Sequence, residues 1–207
     1  MSDVILRETS VRKFSERIAS PLPAPGGGGA SAAVAAIGIA LGDMVGELTV
    51  GKPKYAAYEP EIKEAMKQAQ ALRSRFLELI DKDAADFEPL AAAYRIPKDA
   101  PGRSEELERC LRLAAATPLE IFDLSCKAIL LFNTFGEKGS KLAISDAATG
   151  VVFCWSAMYG AAMNVKVNTK LMQDRAYAEQ INQHVDQAME QYWPVAERIY
   201  EDIYKQF

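Results

Sequence analysis

The chain has 207 residues, with 24 basic and 28 acidic side chains, a formal net charge of -4 and a single histidine, His184. This length suits one compact domain over residues 1–207 with a sizeable apolar core, and the acidic balance, without a basic run longer than a pair, argues against a general nucleic-acid binder. One histidine excludes multi-histidine metal centres and confines any Ser-His or Cys-His nucleophile pair to that residue, so catalysis here would use carboxylates, amides, lysines, hydroxyls and backbone groups.

Asp3, Arg7, Glu8, Arg12 and Lys13 precede any long apolar stretch, unlike a secretory signal. Val11, Phe14 and Ile18 predict a short helix ending near Pro21 and Pro23. After the glycine run Gly26 to Gly29, the small-residue stretch through Val50 reads as one helix. Its most apolar part, Ala30 to Leu41, is followed by Asp43 and Glu47, which predicts a segment too short for a membrane span. The expectation is a soluble cytoplasmic protein with no membrane partner. Val50 to Tyr58 reads as a connection. Glu59 to Tyr94 reads as a long amphipathic helix whose inward stripe counts in sevens: Ile62, Ala69, Phe76, Asp83 and Leu90, with Ala65, Leu72, Leu79 and Asp86 beside it. RIPKDAPGR is a loop, and the next helix starts near Ser104, with Pro118 expected to kink or restart it before a stop at Gly136 or Gly139. Ser145 to Met163 is a second small-residue helix, and a more polar one starts near Gln173. Cys110, Cys126 and Cys154 are odd in number and far apart, and read as buried, reduced thiols. The fold class is all-α, a bundle of six or seven helices.

Chemistry has few places to reside. The glycine run precedes a helix, where free amides and the helix dipole can hold an anionic or electron-rich group; the bland alternative is a tight turn. It is neither a P-loop nor a dinucleotide fingerprint, since no GK[ST] and no strand accompany it. Asp83 is the most informative residue. An unpaired carboxylate in the middle of an apolar stripe costs several kcal/mol, so it is either paired with a lysine, arginine or helix end, or serves as a general base with a raised pKa. Asp81 falls on an outward, solvated position, and Asp86 lines the rim or bonds across helices. Lys52 and Lys54, beside Tyr55, are ordinary solvated loop lysines unless the substrate carries carboxylates. Asn164 and Asn168 lie four apart on one helix face and either aim amides inward or cap the helix end. Asp146 follows Ser145 at a helix start, and His184 lies in a polar stretch that reads as surface.

PAPGGGG, MVGELTVGKPKY, LIDKDAADF with AAAYRIPKD, TPL, SDA and NVKVN follow one another between about Phe14 and Leu171. In that order they resemble the cyclodeaminase/cyclohydrolase family, which comprises the cyclodeaminase part of formiminotransferase-cyclodeaminase and stand-alone methenyltetrahydrofolate cyclohydrolases. The resemblance implies an all-helical, homodimeric fold, a folate substrate, and neither a metal nor a redox cofactor. It places the acidic catalytic residue at Asp83, which helical counting had singled out independently. Its glycine motif falls on Gly26, Gly27 and Gly28; a serine often follows there, whereas this chain has Gly29. Thr49, Gly51, Lys52, Lys54, Tyr55, Asp146, Asn164 and Asn168 would belong to the substrate region, with the lysines attracting glutamyl carboxylates. The implied activity is hydrolysis of 5,10-methenyltetrahydrofolate to 10-formyltetrahydrofolate. This is preferred over formimidoyltetrahydrofolate cyclodeamination because the chain leaves no room for a transferase domain. A non-catalytic folate-binding or interaction bundle, with Asp83 an ion-paired core residue, is the alternative of another class.

Overall fold

The computed structural model describes residues 4–207, which form six α-helices and three short 3-10 turns, with no strand among them. The helices are α1 (Val11–Ile18), α2 (Gly27–Glu47), α3 (Glu59–Ala93), α4 (Arg103–Lys138), α5 (Ile144–Thr169) and α6 (Arg175–Tyr204). Helices α2 to α5 close a ring in which each packs against the next and α5 returns to α2; α6 lies against α5 and α4. Neighbours in the ring run antiparallel. Gly29 faces Ile80 while Gly46 faces Met66, and Gly27 faces Asn164 while Gly38 faces Cys154. Phe76, Phe122, Phe132 and Phe135 are fully buried at the centre. Their burial contributes to the apolar driving force for closing the ring.

The small residues of α2 and α5 let two backbones meet. A Cβ on Gly150 would lie 2.7 Å from the Gly38 carbonyl oxygen, so the crossing requires glycine. By length and composition α2 is in fact long and apolar enough to cross a membrane, contrary to the sequence expectation, and so is the stretch Lys141–Thr169. In this fold both serve as core helices of the ring, 61% and 50% buried over their most apolar windows.

Three further expectations are corrected. The glycine run does not precede α2 but forms its first turn, from Gly27. Pro118 does not restart α4: Arg103–Lys138 is one helix with the proline inside it. Proline at 118 removes the amide that would have bonded the Ala114 carbonyl, and the Asn168 side chain from α5 donates to that carbonyl at 3.2 Å instead. Asp81 is only partly solvated. It accepts from the Leu6 amide at 2.5 Å and from Arg7 at 2.8 Å, docking the N-terminal segment onto α3. Cys110, Cys126 and Cys154 are buried and free, and His184 is half exposed and paired with Asp123 at 2.7 Å.

Candidate active site

Two carboxylates lie at the contact of α2 with α3, in opposite circumstances. Asp43 is 6% exposed and meets Arg73 at 3.1 Å and Gln70 at 3.5 Å, the ordinary solution for a buried acid. Asp83, at the far end of the same helix pair, has no cationic partner among the described residues. Its one hydrogen bond among them is the Gly29 amide, which donates to Oδ2 at 2.8 Å. Lys82 next to it is engaged elsewhere, donating to Asp86 Oδ2 at 2.5 Å and to Thr117 Oγ1 at 3.1 Å. Thr117, fully buried on α4, donates in turn to Asp86 Oδ2 at 2.5 Å. Desolvation therefore dominates at Asp83 and lifts its pKa from 3.8 to about 6; the Gly29 amide opposes the rise and the charge on Asp86 adds to it.

The start of α2 faces this carboxylate. The amides of a helix's first turn have no intrahelical acceptor, and here the one at Gly29 is used by Asp83. Gly27 and Gly28 lie against the side chains of Asn164 and Asp83. A Cβ on Gly28 would fall 2.6 Å from Asp83 Cγ, and one on Gly27 would fall 2.7 Å from Asn164 Nδ2. A Cβ on Gly26 would meet nothing within 4 Å. The position where the family often carries serine needs no hydroxyl toward Asp83, because the backbone of Gly29 supplies the donor.

Asn164 donates to the Gly160 carbonyl at 2.8 Å, which sets its side chain against Gly27. Asn168 is 8% exposed, and its amide nitrogen donates to the carbonyls of Ala114 and Asn164. It serves as a tie between α5 and α4 beneath the site. Asp86 bonds across helices to Thr117, as its place on the α3 stripe suggests, whereas Lys82 and Thr117 carry no site signal in the sequence. The TPL segment was noticed only as part of a resemblance, and its partner Asp86 lies 31 residues away.

The remaining predicted residues gather elsewhere. Thr49 is 1% exposed, donates to the Val45 carbonyl and accepts from the Ser140 amide, so its hydroxyl is consumed by the fold. Gly51, with φ of 76°, donates its amide to Glu59 at 3.0 Å. Tyr55 accepts from the Lys141 amide at 3.0 Å, the main cause holding its pKa below 10.0, and Lys54 Nζ stands 5.6 Å from its ring centre. Lys52 precedes this turn and Asp146 sits half-buried in the first turn of α5. All lie toward the C-terminal end of α2, whereas Asp83 lies at its N-terminal end; 21 helical residues separate these ends by about 30 Å. Within one chain the predicted site is therefore two half-sites. Among the described residues no three His, Cys, Asp or Glu converge as metal ligands.

Residues 10–187 match the family model described as Formiminotransferase-cyclodeaminase. Over 198 residues the chain is 33% identical to a methenyltetrahydrofolate cyclohydrolase of Methylorubrum extorquens, covering 94% of this chain and 95% of that protein. It is 27% identical to the formimidoyltransferase-cyclodeaminase of Mus musculus over 90% of this chain, but this covers only 35% of that longer protein. The crystal structure of a formiminotetrahydrofolate cyclodeaminase from Thermotoga maritima superposes with a TM-score of 0.84 over 96% of this chain and 98% of that one, at 24% identity, and so shares the fold. The all-helical ring, the order of the motifs and the extent of these matches agree: the chain belongs to the formiminotransferase-cyclodeaminase family.

Proposed function

We propose that the protein is a methenyltetrahydrofolate cyclohydrolase that opens 5,10-methenyltetrahydrofolate to 10-formyltetrahydrofolate. The observation that carries this reading is Asp83, a desolvated carboxylate without a cationic partner among the described residues, facing a helix start. The relative matched over nearly the full length of both chains is a cyclohydrolase, which favours this activity over cyclodeamination.

The methenyl bridge is a cationic amidine, so its carbon is already electrophilic. Asp83, ionised, accepts a proton from water as the water oxygen bonds to that carbon, and the carboxylate's charge complements the cation it faces. The protonated Asp83 then returns the proton to the folate N5 as the carbon–N5 bond breaks. The adduct hydroxyl releases its own proton, leaving the formyl group on N10. One water enters and one proton leaves. The substrate carries its own activation, so the reaction as written requires neither a metal nor a redox group. Gly29 fixes the carboxylate, and the Lys82–Asp86–Thr117 group keeps the neighbouring ammonium from neutralising it. Gly26, Gly27, Gly28 and Asn164 shape the wall against which the folate ring rests.

The protein acts as a soluble cytoplasmic homodimer in this reading. Ile37, Met44 and Leu48 on or just beyond α2 are exposed, and so are Tyr159, Met163 and Val167 at four-residue spacing on the adjoining α5. Together they form an apolar face suited to a second copy. A two-fold axis across the middle of α2 sets the two copies of that helix antiparallel. The Lys52, Lys54, Tyr55 and Asp146 end of one copy then approaches the Asp83 end of the other, where the lysines draw in the folate's carboxylates.

Purified protein offered the methenyl and formimino folates in turn is expected to turn over the first, giving 10-formyltetrahydrofolate, and to run as two chains by sedimentation. Ammonia release from the formimino substrate alone would make it a cyclodeaminase. Binding without turnover of either would leave the non-catalytic bundle.

A further inference from the structure

At the level of Asp83, helix α3 passes from one apolar core to another. Phe76, Leu79 and Ile80 belong to the main core, whereas Leu90 and Ala93 belong to a smaller one that α4 enters with Cys110. The residues between the two cores, Asp83 and Asp86 on α3 and Thr117 on α4, form a polar seam. Lys82 turns its ammonium into this seam, where Nζ donates to Asp86 Oδ2 at 2.5 Å and to Thr117 Oγ1 at 3.1 Å. Both anchors are firm: Thr117 is fully buried, and the Asp86 side chain is 14% exposed.

A lysine ammonium has three N–H bonds and no acceptor, and two of the three are spent on these anchors. The third has no acceptor among the described residues, and the Lys82 side chain is 40% exposed, so a ligand can reach it. Asp86 lies one turn beyond Asp83 on the same helix face, which sets this free donor beside the catalytic carboxylate. Its charge is already answered. The methenyl bridge is cationic, so a bare ammonium at this place would repel the substrate, whereas an ammonium paired with Asp86 offers its N–H with little net charge.

We propose that Lys82 binds the ring carbonyl oxygen of the folate's pterin, the oxo group next to N5, with Asp86 and Thr117 as positioning residues. Lys82 can only donate, so its partner must be an acceptor. N5 and N10 are engaged in the cationic bridge, which leaves the neighbouring oxo group as the acceptor nearest the reacting carbon. When that carbon faces Asp83, the oxo group falls on the same side as the free N–H. This rests on the folate reading and deepens it, because it names the group by which the ring is oriented and told from analogues. The contact is made before and during ring opening alike, so its loss falls on binding and KM rather than on kcat.

The test is calorimetric titration with tetrahydrofolate and with tetrahydroaminopterin, its 4-amino-4-deoxy analogue, in which a donor replaces the acceptor. Wild type is expected to bind the oxo compound about tenfold more tightly. Lys82→Met should bind the two alike, and Lys82→Arg, which keeps charge and donors, should retain the preference. Thr117→Val removes one anchor and no charge; it should lower the preference several-fold with an unchanged circular dichroism spectrum, and it decides the matter where Lys82→Met fails to fold. Equal affinity of the wild type for the two compounds, binding of neither, or a preference undiminished in Lys82→Met or Thr117→Val would overturn the assignment. Binding is read here without chemistry. A protein that shows the lysine-dependent preference but turns over neither the methenyl nor the formimino folate would keep this contact and lose the cyclohydrolase reading alone.

Discussion

Asp83→Asn is expected to lower kcat for methenyltetrahydrofolate hydrolysis by about 100-fold to 10,000-fold, the usual range for a lost general base, while making the folded protein more stable at neutral pH. The two effects share a cause. Asn keeps an oxygen that accepts from the Gly29 amide but cannot take up the proton. The native pKa of about 6 lies above the ordinary 3.8, so between those values the native state binds a proton that the unfolded chain has released. Stability therefore falls as pH rises through that window, and above about pH 6 the ionised carboxylate costs the fold about 3 kcal/mol, at roughly 1.4 kcal/mol per pH unit. The variant escapes this cost. Its thermal midpoint should rise by several degrees at neutral pH, and by little below the ordinary carboxylate value. An inactive variant that is less stable at neutral pH would instead make Asp83 a structural group.

Gly28→Ala should lower kcat/KM by about 100-fold or more without unfolding the chain. Alanine is the better helix residue, so the backbone does not resist the change. The obstacle is that its Cβ would lie 2.6 Å from Asp83 Cγ, and the carboxylate must leave its place to make room. Gly29→Ser is the informative partner variant. A Cβ there meets only ordinary contacts, the nearest at 3.5 Å, and the amide that Asp83 uses is retained. It should keep its activity within a few-fold. Circular dichroism and initial rates on the two variants would separate loss of carboxylate position from loss of fold; equal activity of both would refute the steric argument.

Asp83 could be found by counting because α3 keeps its heptad stripe for 35 residues, and a carboxylate at the stripe's centre is conspicuous. Its environment could not be found that way. Asp43 is the more deeply buried of the two but is answered by Arg73, 30 residues on, and only the packing of α2 against α3 shows which acid is paired. Pro118 misled for the same reason. Local chemistry says that proline breaks a helix, yet the orphaned Ala114 carbonyl is satisfied by Asn168 from 54 residues away. That tie also gives Asn168 a task inside the fold, where the resemblance had placed it in the substrate region. The largest omission was spatial. The family motifs read as one site in linear order, but α2 holds two groups of them about 30 Å apart, because a single straight helix lies between its glycine start and the lysine turn. Helical periodicity gives faces and lengths; it does not say which helix ends meet.

The pH dependence of kcat/KM for 5,10-methenyltetrahydrofolate tests the central claim most directly, because it reads the ionisation of the free enzyme's base during turnover. The account predicts a rise of one log unit per pH unit at low pH, bending to a plateau at about 6, the value at which Asp83 ionises. The kcat profile should bend at lower pH, since the bound cation favours the carboxylate's charged form. A rate constant that stays flat between about pH 5 and about pH 7 in a protein that remains folded would contradict the assignment of Asp83 as the proton acceptor.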